Sequence, residues 1–247
     1  SNIFRCDAGS HFSASRLSQT SQVGERIVTV EFSASDIRAK VSEEIGLDLT
    51  NEQAEKLARF TVLLLKWNKT YNLTSIENPD DVVRLHIADS LTLVQHFDEL
   101  VPGVRTVLDV GSGGGLPAVP LAVMRPDLYV TMVDAVQKKT IFQRQACVAC
   151  GLKNARAVHA RVETLKGNKY DIVTSRAFAS LSLMVELTRE LLADDGRWLA
   201  MKGKTPDEEI AELPEDVEVE KQVALTLGNG KIDRVLIILK RRTAGAE

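Results

Sequence analysis

Leu108-Asp-Val-Gly-Ser-Gly-Gly-Gly-Leu116 joins one apolar run, residues 105–110, to another, 116–124, through four glycines in five positions. The first run reads as a buried strand and the second as a short helix. Glycines between them let the backbone turn sharply and let a ligand lie against bare peptide. Asp134 closes the next apolar run, 128–133, and follows Gly111 by 23 residues. A carboxylate at that spacing can accept both hydrogen bonds of a ribose diol.

Downstream the alternation continues. Residues 138–150 read as a helix stopped by Gly151, 155–159 and 170–175 as strands, 181–192 as a helix, and 197–202 as a strand. A short helix over 205–213 and strands over 217–226 and 234–239 complete the pattern. Repeated βαβ units predict an α/β, Rossmann-like fold: a mostly parallel seven-stranded sheet with helices on both faces. The final two strands have no helix between them, so an antiparallel last strand is expected. Upstream, from about residue 35, the period is helical. Thr50-Asn-Glu-Gln53 is a capping box, and Leu57, Phe60, Leu64 and Trp67 follow at helical spacing. Asn78-Pro79 opens a third helix, with Asn as N-cap and Pro at the first helical position. The expected organisation is an N-terminal extension (1–33), a helical cap (34–102) and a sheet domain (103–242). The extension is Ser-rich and aperiodic, and Ser1-Asn2 reads as the remnant of a cleaved tag.

The 247 residues are 44% hydrophobic and 26% charged, enough apolar side chain for a sizeable core. The charge-free run 110–124 is shorter than the ~20 apolar residues of a spanning helix, so no membrane partner is expected. Arg5, Asp7 and Arg16 interrupt any signal-peptide stretch, and the cysteine count of 3 is odd. Both point to the reducing cytoplasm, and a monomer is expected. The net charge of −3 is unevenly spread. Residues 138–176 hold nine Lys/Arg against two acids, 186–220 twelve acids against four bases, and 231–242 five bases against one acid. Such asymmetry suits a polyanion footprint, and equally suits solvated faces of mixed sign.

Two features speak against a dinucleotide in the glycine loop. A GxGxxG pattern from Gly111 requires Gly at 116, where Leu stands, and the strand ends in Asp109, which repels a pyrophosphate. S-adenosylmethionine fits better, with a ribose for Asp134, an ammonium that suits Asp109, and no phosphate. The acid-x-Gly-x-Gly-x-Gly form, with Gly111, Gly113 and Gly115, is the pattern of class I S-adenosylmethionine-dependent methyltransferases. Val162 and Glu163, in the loop after the third strand, are candidates for the adenine pocket.

The acceptor corner after the fourth strand reads Thr174-Ser-Arg-Ala-Phe178. It lacks the Asn/Asp-Pro-Pro-aromatic motif of exocyclic-amine methyltransferases. Cys147 and Cys150 fall inside a helix and read as buried small residues, neither a C5 nucleophile nor a zinc pair. No acids converge near Ser175, so no metal is expected. An acceptor already nucleophilic at neutral pH remains, and guanine N7 qualifies. Arg176 can then hydrogen-bond guanine O6 or a phosphate, and Phe178 can stack on a flipped base. The plain alternative is an ion-paired Arg176 and a core Phe178.

Together these residues resemble the glucose-inhibited division protein B (GidB, RsmG) family of bacterial 16S rRNA guanine-N7 methyltransferases. The matching stretches are Leu65-Lys-Trp-Asn-Lys-Thr-Tyr-Asn-Leu-Thr74, Arg84-Leu-His-Ile-Ala-Asp-Ser90, the glycine loop through Pro117, Ser175-Arg-Ala-Phe-Ala-Ser-Leu181 and Lys202-Gly-Lys204. The resemblance implies cofactor contacts at Gly111, Leu116, Val162, Glu163 and Arg176, Asp134 at the ribose, and a guanine of the 530-loop as acceptor. It departs at Gly114, where relatives often carry Pro. In its light Lys66, Lys69, Arg84, Arg144, Phe178 and Lys202 become candidate RNA contacts, with Arg176 the candidate catalytic residue. Trp67 is expected to be structural, and His86 to form a buried hydrogen bond with Asp89. The alternatives are a small-molecule methyltransferase sharing the cofactor half, or a regulatory module that binds the cofactor without turnover.

Overall fold

The computed structural model describes residues 32–100, 103–176, 178–228 and 230–242; residues 1–31 of the expected extension lie outside them. Among the described residues seven strands form one sheet in the order β3-β2-β1-β4-β5-β7-β6. They are β1 (Thr106–Val110), β2 (Tyr129–Asp134), β3 (Ala155–His159), β4 (Tyr170–Ser175), β5 (Leu192–Lys202), β6 (Val217–Leu227) and β7 (Ile232–Arg241). Strands β1 to β5 pair in parallel, and β7 lies antiparallel between β5 and β6. The expected antiparallel last strand is therefore present. Strand β5 starts five residues earlier than the sequence suggested. The preceding helix α7 (Leu181–Thr188) stops early and passes through a 3-10 turn, after which fully buried Leu192 pairs beside Tyr170.

Side chains alternate across the sheet and build two cores. On β7, Leu236 and Ile238 join one core while Val235, Ile237 and Leu239 join the other. The first core is covered by α5 (Ala118–Met124), α6 (Gln137–Ala149) and the N-terminal helices α1 (Ala34–Ile45), α2 (Asn51–Tyr71) and α4 (Asp89–Leu100). Ile37, Leu57, Phe60 and Phe97 share it with Val107, Met132, Ile172 and Leu199 of the sheet. The cap is thus a layer on the sheet and has no separate core of its own. Helix α2 begins at the expected capping box: Gln53 N–H donates to Thr50 Oγ1 at 3.2 Å and Thr50 N–H to Gln53 Oε1 at 2.9 Å.

The third helix is interrupted. A short α3 (Pro79–Val82) runs into a π-helical stretch, Val83–Ala88, before α4 resumes. The Asp89 N–H reaches back to the Arg84 carbonyl, the i to i−5 bond of a wide turn. β1 leads through α5 to β2 on one side, and β4 leads through α7 to β5 on the other. Where those crossovers diverge, a crevice opens outside the carboxyl ends of β1 and β4, the usual ligand position in such sheets. No helix among the described residues is long and apolar enough to cross a membrane.

Candidate active site

The glycine loop sits at that crevice. Gly111 N–H donates to the Val133 carbonyl at 2.9 Å, fastening the loop to β2. Gly111 has φ +69°, and a Cβ there would meet no atom within 4 Å, so it would point into open space. Gly115, at φ +74°, serves packing instead: a Cβ would lie 2.9 Å from Val119 Cγ2. Leu116, beside it, is buried.

Asp109 at the end of β1 is fully buried, and neither carboxylate oxygen makes a hydrogen bond of good geometry among the described residues, although the Ser112 hydroxyl and the Ala118 N–H lie near enough to favour its charged form. The Ser112 hydroxyl donates to the Asp109 main-chain carbonyl at 2.8 Å. Burial pushes the Asp109 carboxyl up to about 8, which the nearby Ser112 hydroxyl and then the Arg176 charge only partly offset. An unpartnered buried carboxylate beside an open cradle suits a cationic ligand group.

Asp134 lies across the loop and is also buried. Its Oδ2 accepts from Gly113 N–H at 3.0 Å and its Oδ1 from Val136 N–H at 2.8 Å. Each oxygen of a carboxylate has a second lone pair, so both remain able to take a ribose hydroxyl. Sequence reasoning missed Gln143, fully buried on α6, whose Nε2 donates to the Gly113 carbonyl at 2.9 Å. The one available signal was an amide between Phe142 and Ala146 on the inner face of α6. Val162 and Glu163 stand in a 3-10 turn beyond β3, Val162 buried and Glu163 exposed.

Arg176 follows β4 and is half-buried. Its Nη1 lies 3.2 Å from Asp89 Oδ2 and 3.3 Å from Ser90 Oγ, and its Nη2 3.2 Å from His86 Nδ1. Arg234 Nε on β7 donates to Asp89 Oδ1 at 3.0 Å. The expected His86–Asp89 hydrogen bond is not formed; both side chains converge on Arg176. A guanidinium has no acceptor, so His86 Nδ1 accepts, and its Nε2–H donates to Thr74 Oγ1 at 2.6 Å. Burial, then the Arg176 charge, depresses the imidazole to about 4, which keeps it neutral.

Several expected RNA contacts are engaged within the protein. Lys202 is not an exposed cation: its Nζ is held by Glu209 at 2.8 Å and reaches the Phe178 carbonyl at 3.4 Å. The reason is α8 (Asp207–Ala211), which lays Glu209 across the end of β5 and also accepts the Leu181 N–H. Arg84 pairs with Asp81 at 2.8 Å, and Phe178 is half-buried against the second core. Lys66, Lys69 and Arg144 are exposed. They flank the junction where Trp67 Nε1 donates to Gln145 at 2.8 Å and Lys138 sits 5.3 Å over the Tyr71 ring. Trp67 also packs edge-on to Phe142, a structural role. Cys147 and Cys150 are buried, and burial raises their thiols to about 11 and 12, which matches their reading as inert packing. No group of three metal-ligating side chains occurs among the described residues.

The sequence between residues 53 and 237 matches the family model of the rRNA small subunit methyltransferase G, GidB. A protein named ribosomal RNA small subunit methyltransferase G from Neisseria meningitidis serogroup B is 47% identical over 198 residues, spanning 80% of this chain and 94% of the relative. One of the same name from Chromobacterium violaceum is 48% identical over 195 residues, spanning 78% and 91%. Among solved structures, the glycopeptide N-methyltransferase MtfA complexed with S-adenosyl-L-methionine superposes with TM-score 0.53 at 14% identity, covering 62% of this chain and 94% of that one. Its complex with sinefungin gives 0.54 at 14% identity, covering 63% and 87%. These two likenesses establish the methyltransferase fold.

Proposed function

The chain belongs to the GidB family, the rRNA small subunit methyltransferases G, and from that premise we propose that it methylates N7 of a guanine in the 530-loop of 16S rRNA, with S-adenosylmethionine as donor. Bound, the donor supplies an electrophilic methyl group on a sulfonium. The residues fit it. Asp109 offers an unpartnered carboxylate for its ammonium, Gly111 leaves open space for its body, and Asp134 retains lone pairs for its ribose. Val162 and Glu163 border the adenine, and Leu116 packs beneath the loop.

The observation that supports the acceptor assignment is the corner after β4, where Arg176 is a cation and its described titratable neighbours His86 and Asp89 are already engaged. His86 is neutral and committed at both nitrogens, and Asp89 is spanned by two guanidiniums. An acceptor atom with a free lone pair, as guanine N7 has, needs no base to take a proton. The work of the residues is then positioning for in-line transfer. Arg176 orients the base through O6 or an adjacent phosphate. Phe178 offers its ring for stacking, and Lys66, Lys69 and Arg144 meet phosphates.

Small-subunit rRNA transcribed with 7-deazaguanosine keeps O6 and the pairing edge but has no N7. It is expected to accept no methyl while competing with unmodified RNA for binding. Transfer to the deaza RNA at the normal rate would overturn the N7 assignment.

A further inference from the structure

We infer that Asp89 is a positioning residue that holds Arg176 away from Asp109, keeping the Asp109 carboxylate open for the donor's ammonium. The inference rests on the cofactor reading above and concerns a residue of the cap that touches neither donor nor acceptor in that reading.

Arg176 lies in the field of two buried carboxylates. Asp89 lies on the cap side, in hydrogen-bond contact; Asp109 lies on the sheet side, close enough for each to feel the other's charge. A half-buried guanidinium goes to whichever carboxylate is best placed, because leaving a buried carboxylate unpaired is costly. Here the contest is settled by an anchored set on one side. Asp89 and Ser90 both take Nη1, and His86 takes Nη2. Arg234 fixes Asp89 from the other side through its second oxygen. The Ser90 hydroxyl is aimed by its own bond to the His86 carbonyl at 2.6 Å, and Thr74 aims His86. Across the crevice neither Asp109 oxygen is paired with a cation, and neither makes a hydrogen bond of good geometry. The wide turn of residues 83–88 directly precedes Asp89 and carries His86, so the cap supplies this anchor as one unit.

The test is donor affinity by calorimetry from pH 6 to 9, on the wild type, Asp89→Asn, Arg176→Gln and the double variant. Asparagine keeps the shape of Asp89 and removes its charge, which releases Arg176 onto Asp109. Affinity at pH 8 is expected to fall at least tenfold in Asp89→Asn, and to be unchanged by the same substitution in the Arg176→Gln background. The pH profile adds a signature that loss of packing does not produce. The charged groups facing Asp109 are Arg176 and Asp134, so wild-type affinity should rise towards pH 8 as the carboxyl ionises. In Asp89→Asn, an Arg176–Asp109 pair keeps the carboxylate ionised, and the rise should vanish. Arg234→Gln loosens the same carboxylate from the rim and is expected to act in the same direction by a smaller factor, which covers the case of a poorly folded Asp89→Asn. Equal losses with and without Arg176, or none in either, would overturn the inference. Asp134→Ala separates the two readings: unchanged affinity there would defeat the cofactor pocket itself.

Discussion

At the scale of single residues, Asp109 carries a cost and a use together. A carboxyl raised by burial binds its proton more tightly folded than unfolded, so between the ordinary carboxylate range and about pH 8 the folded state holds more protons. Stability of the ligand-free protein from this group is therefore full at low pH and is lost as pH rises towards 8. Asp109→Asn removes the effect. Its melting temperature should exceed wild type at pH 8 and converge with it near pH 4, while its donor affinity drops. A variant less stable than wild type at pH 8 would contradict the burial argument. Gly111→Val should weaken donor binding as well, by putting a strained side chain into the open cradle.

At the scale of elements, the repeating strands, the glycine loop, the α2 capping box and the antiparallel final strand were legible because each depends on local pattern. Asp109, Asp134 and the loop glycines were legible for the same reason, since a strand end fixes where its last side chain lies. What was not legible depends on long-range pairing. Arg176 meets Asp89 across 87 residues of sequence, and Arg234 meets it across 145. Local spacing therefore suggested His86–Asp89, the nearest polar pair, whereas the fold brought in two guanidiniums. Lys202 stood among the candidate RNA contacts through the family resemblance, and nothing local shows that α8 returns Glu209 over it. The π-helical stretch gives no periodicity signal: six residues are too few to shift a helical pattern visibly.

At the scale of the whole molecule, the charge runs separate to opposite edges of the sheet. Much of the acidic run lies between α8 and the start of β6, where the basic run of β7 meets it: Lys240 pairs with Glu218 and Glu220, and Arg197 with Glu220. Two of the three runs thus offset one another. The basic run of 138–176 occupies α6 and the edge strand β3, where Lys138, Arg144, Lys153, Arg156 and Arg161 are exposed. That edge adjoins Lys66 and Lys69 at the end of α2, and together they form a basic face clear of the acidic edge. Replacing Lys66, Lys69 and Arg144 with Gln should weaken RNA binding and reduce the log–log salt slope by about 0.7–0.9 per lost phosphate contact. An unchanged slope would move the RNA surface elsewhere.

The central claim, a guanine N7 in the 530-loop as acceptor, is tested most directly by one measurement. Small subunits lacking the modification are incubated with the protein and methyl-labelled S-adenosylmethionine, and the labelled nucleotide is mapped by mass spectrometry. A single N7-methylguanosine in the 530-loop is the predicted result. Label on any other atom, or outside that loop, would contradict the account.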